Sequence, residues 1–430
     1  MRTKKYFIIS ILFAHFILTA CGNAQSEFSF VNTSHLDDLY EEIEFRGKTV
    51  GIIHIYSDYP DYGWIGDDDE GIACVDDVAR AALFYLKNYR AAGNLASLDK
   101  GGKLTEFLLL MQAENGYYYN FIFEDGSINT THKNSLPQPN WWSWRAMWAL
   151  TEAYDIYLNI DKDFAGRIYK SLEAGFNALK TNLPVDREVN MINGFEVPTW
   201  LPWESAADQA GVLLLSLLPY YNITKDEIIL EYIHALQDGI TLLQVKDDTV
   251  FAHGAFLSWR NIWHAYGNIQ AYSLIVSSHL AKDDKVLHDA LIEINFFYKN
   301  LLKKGYLSNF QLAKTYEGIE VKNINKYSQI AYNIRPMVYA CLAAYDATKD
   351  NSYLKQGAEI AAWFFGRNPA GKQMYFPETG IGFDGINSED EINMNSGAES
   401  TIEALLTLQA IENYPIAKEI LINFYRHTEQ

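Results

Sequence analysis

The chain has 430 residues, of which 49% are hydrophobic, 14% aromatic and 21% charged, a composition that excludes a disordered protein and supplies a large packed core. Its formal net charge of -19 and the scatter of its lysines and arginines leave no basic patch, which excludes nucleic acid as a partner.

The chain opens with Arg2, Lys4 and Lys5, followed by an apolar run from Tyr6 to Leu18 and small residues before Cys21. This is the pattern of a secretory signal over residues 1–20. The stretch Leu18, Thr19, Ala20, Cys21 resembles the bacterial lipobox, and the resemblance implies cleavage before Cys21 and lipidation of its thiol. The expected location is the bacterial cell envelope, with a polar tether over 21–34 holding the body to a membrane, periplasmic or surface-exposed. Cys74 and Cys341 lie far apart in apolar helical surroundings without metal-ligand spacing, and read as two small buried hydrophobes rather than a disulfide.

A short mixed segment follows, with a helix expected at HLDDLYEEI and a strand at TVGIIHIY. From there the pattern is almost entirely helical. Between Lys285 and Lys304, for example, Val286, Ala290, Ile294, Phe297 and Leu301 line one face. Such amphipathic helices alternate with others that are apolar nearly all round, and the latter must be buried on more than one side. The apolar ones start at Asp76, Ser143, Glu204, Ile262, Gln329 and Ser396, about 60 residues apart, and each is followed by a more polar helix. An apolar inner helix alternating six times with an amphipathic outer one is what an (α/α)6 toroid requires. The expected fold is therefore all-α, a single toroid domain over residues 35–430 behind a short mixed segment, and monomeric. An open solenoid is the competing arrangement, but its repeats are usually shorter and more regular.

In a toroid the loops entering the inner helices gather at one end. Eight of the ten tryptophans lie within or just before the starts of the first four inner helices, all but Trp148 and Trp363. Indole faces stack on the apolar faces of pyranose rings, so a carbohydrate is the expected ligand, with Trp64, Trp141, Trp142, Trp203 and Trp259 as subsites. Carboxylates collect at the same end: Asp67 to Glu70, Asp76 and Asp77 at the first start, Glu204 and Asp208 at the third, Glu399 at the sixth. Glycosidic bond cleavage commonly needs two carboxyl groups, one protonated and one ionised. The bland alternative is capping: Ser396 to Glu399 has capping-box spacing, Ser205 to Asp208 the related one, and Asp76 can start a helix with Arg80 one turn on. The run Asp67 to Glu70 reads as a solvated loop without calcium-loop spacing.

The segments CVDDVARAA (Cys74 to Ala82) and NMNSGAESTIEALLTL (Asn393 to Leu408) resemble motifs of (α/α)6 domains in the six-hairpin glycosidase superfamily. The likeness is to bacterial domains with a C-T-D-D-N-A-R-A segment early and an N-x-N-x-G-A-E-S-T segment late, although Val78 stands where that pattern has Asn. The resemblance raises Asp76, Asp77, Arg80 and Glu399 above capping. The leading expectation is a glycoside hydrolase acting on an envelope or extracellular glycan without metal or redox cofactor. Its carboxyl pair would be Glu399 and Asp77, with Asp76 and Asp208 next. Arg80, Arg145, Arg335 and His264 are the further polar candidates for substrate binding, or partners for the surplus acids. Two alternatives stand beside it. A lyase or sugar epimerase on a related toroid would give His253, Tyr332 and Arg335 the larger part, and a non-catalytic lipoprotein would only bind glycan.

Overall fold

The computed structural model describes residues 28–428 apart from residue 283; the leader, Cys21 and most of the tether lie outside the described residues. After α1 (Ser34–Leu39) come α2 (Val75–Ala92) with α3 (Leu95–Leu110), α4 (Trp141–Tyr157) with α5 (Lys162–Asn182), and α6 (Ala207–Thr224) with α7 (Glu227–Leu242). Next stands α8 (Gln270–Ser277) with α9 (Lys285–Ile292), which continues through a π-helical stretch, Glu293–Tyr298, into α10 (Lys299–Lys304). The pairs α11 (Arg335–Thr348) with α12 (Asn351–Ala361) and α13 (Ala398–Glu412) with α14 (Pro415–Thr428) complete the set.

Helix α2 packs on α4, α4 on α6, α6 on α8, α8 on α11, α11 on α13, and α13 back on α2. The ring closes, which excludes the solenoid. The inner helices are buried along most of their length, as their all-round apolar pattern demands, while the outer ones keep a wet face. Val286, Ala290, Ile294, Phe297 and Leu301 are all buried.

Connection lengths polarise the ring. At one end an inner helix passes to its outer partner in a few residues, with an Asx side chain capping the new helix: Asn94 accepts from Ala96 and Ser97 amides, and Asp161, Asp226 and Asp350 do the same for α5, α7 and α12. Left-handed Gly93, Lys225 and Lys349 end the preceding helices there. All the long segments, 111–140, 183–206, 243–269, 305–334 and 362–397, return at the other end and form the mouth.

Several boundaries differ from the sequence pattern. Residues 34–45 hold only the short α1, because Tyr40–Phe45 instead pairs antiparallel with Lys48–Ile53. The fourth inner helix starts at Gln270 rather than Ile262. Ile262–His264 is a strand on Asn309–Thr315, and Arg260 and Gly267 on either side have positive φ, which no continuous helix accommodates. Asn309–Thr315 forms a hairpin with Gly318–Asn325, and Val189–Ile192 another with Phe195–Pro198. Cys74 and Cys341 are buried free thiols, and no described helix is long and apolar enough to cross a membrane.

The π-helical stretch begins at Glu293, which is fully buried. The Phe256 N–H donates to its carboxylate at 2.8 Å and the Tyr298 hydroxyl at 3.2 Å. Burial outweighs both bonds and pushes the carboxyl from 4.5 up to about 8. The folded state holds this proton to higher pH than the unfolded chain does. Stability is therefore full below pH 4.5 and declines as pH rises to about 8, by at most about 1.4 kcal/mol per pH unit. Glu293→Gln should melt higher than the wild type at pH 8 and lose that advantage at pH 4.5. Parallel melting curves with pH for the two proteins would show the group is not buried as described.

Candidate active site

The first turns of α2 and α13 meet at the mouth, and Arg80 joins them. Its guanidinium donates to Asp77 at 2.6 Å and to Asp76 at 3.3 Å on its own helix, and to Glu399 at 3.0 Å and Glu403 at 3.1 Å on α13. Arg145, from α4, binds Asp76 Oδ2 and the Tyr332 hydroxyl, and lies over the Trp141 ring at 5.0 Å. Arg335 binds Glu403. Four carboxylates (Asp76, Asp77, Glu399, Glu403) thus share three guanidiniums (Arg80, Arg145, Arg335), leaving one negative charge in excess when all are ionised. Bringing so many charges into a low-dielectric ring is costly unless they pair or one takes a proton.

The environments of the acids differ. Asp76 is desolvated, which raises it, but Arg145 and Arg80 prevail and hold its carboxyl below the ordinary range; its Oδ1 has no hydrogen-bond partner. Asp77 is pushed up, by burial first and by Asp76, against the pull of Arg80. Its other oxygen accepts from the Cys74 thiol at 3.2 Å. Glu399 is likewise pushed up, by the protein packed around it and by Asp77 and Glu403, against Arg80. Yet the Glu399 side chain is 41% exposed, against 5% for Asp77 and 0% for Glu403. A carboxyl that favours its proton and opens to the cleft beside one that stays ionised is the arrangement acid and base catalysis requires.

Capping does not explain Glu399. The N-cap residue of α13 is Gly397, which has no side chain, and the Ser396 hydroxyl accepts instead from the Gly382 amide at 3.1 Å. Asp384 takes the capping part from outside the helix, accepting from the Gly397 amide at 2.9 Å and the Ser400 hydroxyl at 2.6 Å. Nor does Ser205 cap α6: Asp208 accepts from the Gln209 amide at 2.6 Å and from His264 Nε2 at 2.9 Å. The other ring nitrogen of His264 faces the Tyr266 carbonyl at 2.9 Å, and the two rings stack at 3.9 Å.

Three neighbouring cavities open along the mouth. One of about 310 Å³ is lined by Asp77, Asp384, Asn387, Asn393 and Glu399. A second of about 300 Å³ holds Asp76, Trp141, Arg145, Tyr332 and Glu399. The third, about 690 Å³, is walled by Trp203, Glu204, Asp208, Trp259, Arg260 and His264. Trp203, Glu204 and Arg260 all sit in the left-handed region, at φ 50°, 69° and 52°, a conformation that costs roughly 1–3 kcal/mol for each such residue and persists where the surroundings enforce it.

The sequence candidates divide accordingly. Asp76, Asp77, Glu399, Arg80, Arg145 and Trp141 converge at the first two cavities, and Asp208, His264, Trp203 and Trp259 at the third. The rest stand apart. Trp64 stacks on His54 at 3.8 Å, away from the cavities, because its two-residue strand pairs with Tyr56–Ser57. Trp142 does line the second cavity, but at 4% exposure and with its indole N–H given to the Tyr118 carbonyl it contributes mostly packing there. Arg335 is buried against Glu403, and His253 lies against Phe296 outside the cavities. Arg260 and His264, four residues apart, both reach the third cavity, from a turn and a strand rather than from one helix. Glu403, Asp384, Asn140 and Tyr266 join the site beyond the candidates that the sequence marks. Glu403 carried a usable signal, a charge in the middle of an apolar helix rather than at either end, which must be paired. Among the described residues no group of three or more His, Cys, Asp or Glu is placed to hold a metal ion.

No family model and no curated protein matches the chain. Among solved structures, a sugar epimerase from a ruminal bacterium is similar at TM-score 0.60 and 13% identity, over 88% of this chain and 95% of that one. A D-mannose isomerase gives TM-score 0.58 at 14% identity, over 90% and 95%. A cellobiose 2-epimerase from Bacillus thermoamylovorans B4167 gives 0.55 at 15%, over 89% and 96%. At such identities the likeness concerns backbone architecture. Closed ring, polarised loops and these matches together give the chain the (α/α)6 toroid fold that the sequence pattern leads one to expect.

Proposed function

We propose that the protein is a carbohydrate-active enzyme, and specifically a glycoside hydrolase in which Glu399 donates a proton to the leaving glycosidic oxygen. The observation that carries this is the contrast at Arg80: Glu399 is exposed to the cleft and pushed toward its protonated form, while Asp76 beside it is held ionised. Asp76, held ionised at the wall of the second cavity, supplies the negative charge that the cationic sugar of the transition state needs. Asp77, buried against Arg80 and Cys74, is better suited to fixing Arg80 than to meeting substrate. Trp141 provides an apolar face in the central cavity, with Arg145 and Tyr332 fixing its rim. Anchoring through a lipid on Cys21 would place this chemistry at a membrane of the cell envelope.

A sugar epimerase is the second reading, and the Asp208–His264–Tyr266 stack in the same mouth favours it, since an oriented imidazole can move a proton next to a carbonyl. One experiment separates the two. Incubation with reducing oligosaccharides in deuterated water should yield new reducing ends and no deuterium at carbon 2 of the product. Deuterium at that carbon without chain shortening would replace the hydrolase reading by the epimerase one. Mass change after release from membranes, or its absence in Cys21→Ser, checks the lipid anchor.

A further inference from the structure

Glu399 does not sit at the end of the mouth. It lines both the cavity holding Asp384, Asn387 and Asn393 and the one holding Trp141 and Arg145. The latter continues into the large third cavity, because Asn140 and Tyr266 line both. The groove therefore extends from Glu399 in two directions, and further in one of them.

The far end is built. Trp203 is 52% exposed at the wall of the third cavity, and its left-handed backbone, with that of Glu204, sets the direction of the indole. The facing loop carries Trp259, bridged to Ala206 by antiparallel pairing. One face of Trp259 is covered by the Arg260 guanidinium at 4.1 Å, which reaches Glu204 at 3.4 Å while its Nε is closed off from solvent with no partner. The floor is rigid and polar. Trp144 Nε1 donates to Gln209 at 3.0 Å, Gln209 donates to Asn140 at 3.2 Å, and Asp208 is held by His264. An exposed indole above fixed amide, carboxylate and guanidinium groups fits a pyranose ring, apolar on one face and hydroxyl-rimmed. Glu204 pairs with Arg260 and Asp208 is bonded to His264, so no unpaired arginine or lysine awaits an acidic group there, and the sugar unit it fits is uncharged.

We infer that the substrate is an oligosaccharide chain of three or more units that lies on both sides of Glu399 and is cut internally, with Trp203, Trp259 and Arg260 holding a neutral sugar away from the cleaved linkage. The position of the cut rests on the hydrolase reading; the length of the bound chain does not.

The test uses cello-, manno-, xylo- and galacto-oligosaccharides of two to six units, labelled at the reducing end. Binding to the Glu399→Gln protein is followed by tryptophan fluorescence, and turnover by the wild type from product lengths. In one series affinity should rise about tenfold or more between two and four units. Trp203→Ala in the same background should flatten that rise, and the Arg260→Ala change should do so in part. Wild-type products should include internal fragments. Affinity independent of length in all four series, or a Trp203→Ala protein with an undiminished rise, overturns the extended chain. Release of terminal units alone overturns the internal cut while the binding result stands. Length-dependent binding without turnover by the wild type retains the extended chain and defeats the hydrolase reading.

Discussion

Glu399→Gln should reduce turnover by about 10²–10⁴-fold on any glycan the wild type cleaves, the range by which a general acid contributes. The amide keeps the shape and the contact with Arg80 but has no proton to give. Fold and stability should survive the change. It removes one of the four carboxylates that share three guanidiniums, so the cluster becomes formally balanced. Melting temperature should stay level or rise, which separates lost chemistry from lost structure. The pH profile offers a second readout. Activity of the wild type requires Glu399 protonated and Asp76 ionised. Rising pH removes activity through Glu399, whose burial and carboxylate neighbours place that limb above 4.5. Falling pH removes it through Asp76, which is desolvated but held by Arg145 and Arg80 below 3.8. The residual rate of Glu399→Gln should lack the alkaline limb. Wild-type rates in the variant, or an unchanged alkaline limb, would remove Glu399 from the chemistry.

The ring was legible because burial demands different patterns of its two helix types. A helix packed on all sides, such as Ala398–Glu412, must be apolar all round, and one facing water, such as Lys162–Asn182, cannot be. Local exceptions were harder. The stretch from Ile262 to Ile269 has the apolar content of its helical neighbours, and only backbone geometry at Arg260 and Gly267 turns it into a strand and loop. The hairpin at Asn309–Asn325 did carry a signal, Phe310 and Leu312 alternating with polar residues and Gly318 at φ 135° in the turn, but it sits inside an otherwise helical cadence. For the site, convergence of Asp76 and Glu399 followed from closing the ring. The division of labour between Asp76 and Asp77 did not. Neighbours on a helix point about 100° apart, and which of them meets Arg145 depends on a helix more than sixty positions along the chain.

Arg80→Met should be the most destabilising single change at the mouth. Arg80 is 2% exposed and compensates Asp76, Asp77, Glu399 and Glu403 at once. Methionine fills much of the same volume but leaves those acids to Arg145 and Arg335 alone. Removing one partner from a buried ion cluster costs about 3–5 kcal/mol, which should appear as a lower denaturant midpoint at pH 7. Arg80→Lys should recover only part of it, because a single ammonium cannot reproduce the fork that reaches two helices. The sign with pH follows from the carboxyls. Without Arg80 they hold protons to higher pH in the folded state than in the unfolded chain. The folded state then binds more protons, and the penalty should grow as pH rises and shrink as pH falls toward 4.5, the ordinary value for Glu399. A double variant makes the cause specific. Adding Glu399→Gln to Arg80→Met removes one uncompensated acid, so it should restore stability, whereas a packing defect would be indifferent to it. Additive effects of the two changes, or a penalty that stays constant from pH 7 to pH 4.5, would mean that Arg80 holds the mouth together by shape rather than by charge.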